Sequence, residues 1–129
     1  MSTMLSLARQ DLNTLAAAEL SRQVQQQGVC RTADDPDAWF PPEPNRSGRE
    51  SKEAWQARRA AYEQTAERLC GGCPARAACL ELALQEEAKL PRTWVHGVQG
   101  GKAPWQRQAM LRSRTRHSRA GQAAAGVAS

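Results

Sequence analysis

Aromatic side chains are scarce in this 129-residue chain, which has one Phe, one Tyr and four Trp. With 40% hydrophobic residues, much of it alanine, a core built from this material is thin, and thin cores need a staple. No apolar run approaches the ~20 residues of a membrane span. The apolar residues near the start are interrupted by Arg9, Asp11 and Asn13, which argues against a secretion signal. The expectation is therefore a cytoplasmic protein with no membrane partner. Alternating apolar and polar stretches are missing as well, so no strand is predicted, and no internal repeat is visible. Acidic residues stop altogether at Glu87.

That last absence shapes the charge. The net charge is +5, and eight of the eighteen basic residues lie from Ala88 onward, unopposed by any carboxylate. The preceding part carries ten basic against thirteen acidic residues and is mildly acidic. A basic end on an acidic body points to a polyanionic partner, DNA first. The competing reading is a basic tail that only aids solubility. Candidate phosphate contacts are Arg107, Arg112, Arg114, Arg116 and Arg119, with His117 among them. Arg112, Arg116 and Arg119 recur at i, i+4 and i+7, on one helical face. Such contacts position a protein on DNA without reading sequence and are steeply salt-dependent.

Four helices are predicted. Leu5, Ala8, Leu12, Leu15, Ala16, Leu20 and Val24 trace an amphipathic helix over 3–27, ended by Gly28 as a C′ residue. The Asp- and Pro-rich stretch 33–42 has no regular structure, and its Trp39 and Phe40 are expected to plug the core. A second helix spans 47–70, started by a Ser47–Glu50 capping box or by Ser51, with Trp55 and Tyr62 as core residues. Gly71-Gly72 breaks it. A third follows Cys73, with Pro74 at its first position and Cys79 in its second turn, continuing to about Ala88. Gly97, Gly100 and Gly101 demand a tight turn. The fourth helix covers 104–119, with no regular structure in 120–129.

The four cysteines, Cys30, Cys70, Cys73 and Cys79, form the pattern C-x39-C-x2-C-x5-C. In a reducing compartment they are metal ligands before they are disulfides. The x2 pair across a glycine turn can share one centre. Cys79 folds back from the next helix and Cys30 closes the site from a distant loop. Four thiolates without a neighbouring histidine suit an iron–sulfur cluster or zinc. Paired C-x2-C knuckles, the usual zinc arrangement, are not present. Redox thiols or disulfides are the third option. Cys70-Gly71-Gly72-Cys73 has the spacing of a disulfide reductase, but no βαβ pattern surrounds it. Asp34, Asp35 and Asp37 read as a solvated loop and His96 as a solvated turn residue. No acid, base and nucleophile set stands out, so an enzyme is not expected.

Taken together, Cys30 followed by Asp-Pro-Asp-Ala-Trp-Phe-Pro-Pro, the helix ending at Cys70, the C-x2-C-x5-C with its Pro, and a glycine turn before a basic helix resemble the WhiB-like family of actinobacterial regulators. The resemblance covers about residues 29–117. It implies an all-α domain of about four helices organised around a four-cysteine site, with a basic C-terminal helix. On it the chain divides into an amphipathic helix (1–28), a WhiB-like iron–sulfur domain (29–101) and a basic helix with its tail (102–129). It further implies a 4Fe–4S cluster on Cys30, Cys70, Cys73 and Cys79, a response to redox state or nitric oxide, promoter DNA as one partner and sigma factor region 4 as the other. A disulfide reductase in the apo form or a zinc-stabilised binding module is the alternative. The partner-binding turn would comprise Trp94, Gly97, Val98, Gln99, Gly100 and Gly101. Here the chain departs from the family turn Gly-(Val/Ile)-Trp-Gly-Gly: Gln99 stands at the tryptophan position and cannot supply its apolar area. Trp94 and Trp105 are the nearby candidates to supply it. No Arg-Gly-Arg-Pro segment is present.

Overall fold

A computed structural model describes residues 15–128 of the chain. Four α-helices carry the fold, in the order α1 Ala17–Gln27, α2 Lys52–Cys70, α3 Arg76–Glu87 and α4 Pro104–Ala128. The all-α expectation holds: the described residues contain no strand, only one isolated bridge between Gln99 and Lys102.

Leu20, fully buried, anchors α1, which packs on α3. Gln85 of α3 donates to the Leu15 carbonyl at 3.1 Å and pins the entry to α1. The part of this helix expected over 3–14 lies outside the described residues. Gly28 ends α1 in extended backbone (φ −69°) rather than a left-handed cap, with its N–H on the Val24 carbonyl at 2.8 Å. Glycine is needed there because a Cβ would sit 2.6 Å from that carbonyl oxygen.

Ser51, not Ser47, caps α2, accepting from the Ala54 N–H at 3.1 Å. The Glu50 carboxylate is drawn away from the capping-box position by Arg58, which it meets at 2.7 Å through two nitrogens. Between α1 and α2 the chain is not wholly irregular: short 3-10 turns occupy Val29–Thr32 and Pro36–Trp39, the second begun by Pro36. Pro74 does not open α3. It lies in a turn closed by the Arg76 N–H on the Cys73 carbonyl at 3.2 Å, and the helix starts after it. Cys79 therefore falls in the first turn of α3, its N–H on the Ala75 carbonyl at 2.7 Å. At the far end α4 runs on through Ala128 instead of stopping at 119. Residues 120–128 are dominated by alanine, the best helix former, and the existing helix has only to propagate through them.

The core is as thin as the composition suggests. Tyr62, Ala66 and Cys70 of α2 pack with Val98 and Ala103, and Trp39, Leu69 and Trp105 close around them. Trp105 meets Tyr62 with ring centroids 4.9 Å apart, and donates to Glu63 at 2.8 Å. Arg59 lies over the rings of both Trp55 and Trp105, 4.9 Å from each. Trp55 is half-buried, its N–H on the Pro44 carbonyl. Phe40 corrects the expectation for that segment: it is 64% exposed, because its ring is held against the outside of Gly97 while only Trp39 turns inward.

Candidate metal centre

Three stretches of chain bring the cysteines together. The turn after α1 supplies Cys30, the C-terminal end of α2 and its Gly71-Gly72 break supply Cys70 and Cys73, and the first turn of α3 supplies Cys79. All four line one cavity of about 420 Å³, walled by apolar groups including Trp39, Leu69, Leu82 and Val98. Cys70 is buried, Cys73 and Cys79 are half-buried, and Cys30 is exposed at the mouth; none is in a disulfide. The Val29 N–H points at the Cys73 sulfur at 3.5 Å, and the same thiol lies 3.9 Å from the Gln27 carbonyl. The end of α1 is thereby tied to the cysteine pair 44 residues onward.

Burial pushes the Cys79 thiol up to about 11. A backbone hydrogen bond from Gly100 pulls the other way, and the charges of Cys70, Cys30 and Cys73 push it further up. A thiol held protonated by burial needs a cationic centre beside it to persist as a thiolate. Among the described residues no group of three or more His, Cys, Asp or Glu side chains converges on a single ion. A wide cavity with four sulfurs in a mostly apolar wall, to which Arg76, Glu86 and Gln99 also contribute, has the donor chemistry and the room for an iron–sulfur group. Asp34, Asp35 and Asp37 are exposed, as a solvated loop should be.

The glycine turn closes over this cavity. Gln99 and Lys102 exchange backbone hydrogen bonds at 3.3 and 3.1 Å across Gly100 and Gly101, whose φ values are +58° and +77°. Two successive positive φ values are the requirement of a two-residue type I′ turn. A Cβ on Gly100 would stand 2.4 Å from that of Leu80, so the turn lies flat on α3 next to Cys79. The Val98 N–H reaches the Trp39 carbonyl at 2.7 Å and joins the turn to the other wall. Val98 and the three glycines are buried, so their part is to shape this segment. Gln99 is half-buried on the cavity, and Trp94 is 67% exposed. Neither Trp94 nor Trp105 lines the cavity, so neither replaces the apolar area that Gln99 lacks.

The turn is held from below by Arg107, which corrects its assignment as a DNA contact. Its side chain is fully buried. Its Nε donates to both Glu87 oxygens at 3.0 Å, and its other nitrogens donate to the Gly97, Lys102 and His96 carbonyls at 2.9, 2.7 and 3.2 Å. A guanidinium so occupied is unavailable to phosphate. The signal was present in sequence: Arg107 is four residues after Ala103 and four before Leu111, on the inner face of α4. Arg114 binds the buried Glu81 of α3 through two nitrogens, at 2.8 and 2.7 Å. Arg112, Arg116, His117 and Arg119 are exposed. His96 is exposed too, but it is not merely solvated: its Nδ1 lies 2.8 Å from Glu43, and that hydrogen bond raises its pKa above the ordinary value.

The sequence model of the family described as Transcription factor WhiB matches residues 25–110. The match spans two thirds of the chain and contains all four cysteines, the glycine turn and the first turns of α4. The chain belongs to the WhiB family. No curated protein and no solved structure matches it. WhiB proteins are transcription factors rather than enzymes, which accords with DNA or the transcription machinery as the class of partner. No helix among the described residues is long and apolar enough to cross a membrane.

Proposed function

We propose that this WhiB-family chain is a redox- or nitric-oxide-responsive regulator that holds a 4Fe–4S cluster on Cys30, Cys70, Cys73 and Cys79. The observation that carries the reading is the opening of all four thiols, from three separate chain segments, into one apolar-walled cavity. Such a cluster supplies reversible electron transfer and a reaction site for small oxidants. The chain's own contribution is to exclude bulk water with Trp39, Leu69 and Val98, and to leave Cys30 exposed as the ligand that solvent reaches first. The Gly100 N–H supports the Cys79 sulfur, favouring its charged form. The reading that α4 approaches promoter DNA rests on the exposed Arg112, Arg116 and Arg119. The reading that region 4 of a sigma factor docks beside the cavity rests on exposed Phe40, which lines the cavity together with Gln99, and on exposed Trp94.

Anaerobic purification tests the central claim. The expected protein is brown, with about four iron and four sulfide per chain, and Cys30→Ser loses both. A colourless protein carrying one zinc per chain overturns the assignment in favour of a zinc-stabilised module.

A further inference from the structure

A second recess, of about 440 Å³, lies between α4 and the segment that follows α3. Leu90, Val95 and Leu111 line it, and Arg92, Arg112, Arg116 and Arg119 surround it. Leu90 is 41% exposed there. Glu87 is the only carboxylate in the lining, and it is already neutralised by Arg107 at 3.0 Å. Arg112, Arg116 and Arg119 make no ion pair among the described residues. The recess therefore combines an apolar floor with a rim of uncompensated positive charge.

We propose that this recess docks an acidic amphipathic helix of a protein partner, with leucine-like anchors on the floor and carboxylates on the arginine rim. Charge complementarity selects an acidic occupant, and the floor distinguishes protein from nucleic acid. A phosphate backbone has no apolar group to place on Leu90, Val95 and Leu111, and would leave the recess unfilled. Its volume lies within the range of about 300–1,000 Å³ usual for ligand sites. Arg112, Arg116 and Arg119 span about 10 Å along α4, two turns, which matches carboxylates at i, i+4 and i+7 on a helix laid beside it. The same arginines face DNA in the reading above, so an acidic helix seated here excludes DNA from α4.

Fluorescence anisotropy on the full chain, kept anaerobic, tests this with three labelled probes: an acidic helical peptide with two leucines on one face, the same peptide with both leucines changed to serine, and a random duplex DNA. The leucine peptide is expected to bind, and Leu90→Ser to weaken it by about tenfold while leaving duplex DNA unchanged. Arg116→Gln weakens both. Equal binding of the leucine and serine peptides, no peptide binding at all, an unmoved peptide affinity in Leu90→Ser, or an equal loss of DNA in that variant overturns the proposal. If the parent chain binds the leucine peptide but not duplex DNA, the promoter-contact reading fails and this proposal is supported.

Discussion

Replacing Arg107 with methionine keeps most of the side-chain volume and removes the charge. Glu87, 8% exposed, then sits in the interior without its cation, and the carbonyls of His96, Gly97 and Lys102 lose their donors. Breaking a buried ion pair from one side costs about 3–5 kcal/mol. Each stranded carbonyl that water cannot reach adds about 1 kcal/mol or more. With only the Gly97 carbonyl, whose bond is buried, stranded and the low end of each range taken, the loss is at least about 4 kcal/mol, a large part of the roughly 5–15 kcal/mol available to a small domain. In urea, with a slope of about 2 kcal/mol/M for a protein of this size, the unfolding midpoint should fall by about 2 M. Circular dichroism on anaerobic protein reads it. Methionine at both Arg107 and Glu87 should recover more than half of the loss, because the penalty is that of an unpaired buried charge. Removal of a surface phosphate contact would move stability by no more than about 0.5 kcal/mol. A midpoint shift of that size for Arg107→Met, or a double variant no better than the single one, would refute the anchoring role.

Gly100→Ala should lift the turn off α3, since the backbone there has φ +58° and the new Cβ would meet Leu80 at 2.4 Å. Faster loss of iron and a lower melting temperature are expected, while Gly72→Ala, with nothing within 4 Å, should melt like the parent; equal melting of both variants contradicts the turn geometry. His96 should titrate above the ordinary histidine range by NMR, and Glu43→Gln should bring it down. Its folded-state pKa is raised, so its contribution to stability is complete below the unfolded value and fades as pH rises through the folded one; an unmoved midpoint in Glu43→Gln counts against the pair. If α4 meets DNA through Arg112, Arg116 and Arg119, each Gln substitution should reduce the slope of log affinity against log salt by about 0.9, and unchanged slopes refute that contact set.

The local elements were legible because local rules govern them. Helix periodicity, the Gly71-Gly72 break and the cysteine spacing are properties of neighbouring residues, and so is the demand for positive φ at Gly100 and Gly101. Helix starts differ from the expectation where a competing nearby contact intervened. Arg58 took Glu50 away from its capping role, and a turn around Pro74 delayed α3 until Arg76. The tail was misread for a simpler reason: its alanines extend a helix already nucleated.

By itself, the sequence determined that four sulfurs of suitable spacing exist and that positive charge gathers at one end. Which groups those charges serve was decided only by tertiary packing. Among the arginines of α4, Arg107 is consumed by Glu87 and three carbonyls, Arg114 reaches Glu81, and Arg112, Arg116 and Arg119 remain outside. Phe40 and Trp39 are adjacent in the chain and both line the cavity, yet Phe40 is largely exposed while Trp39 packs against the core. Burial and long-range pairing depend on which helix faces come to oppose each other, and composition carries no record of that.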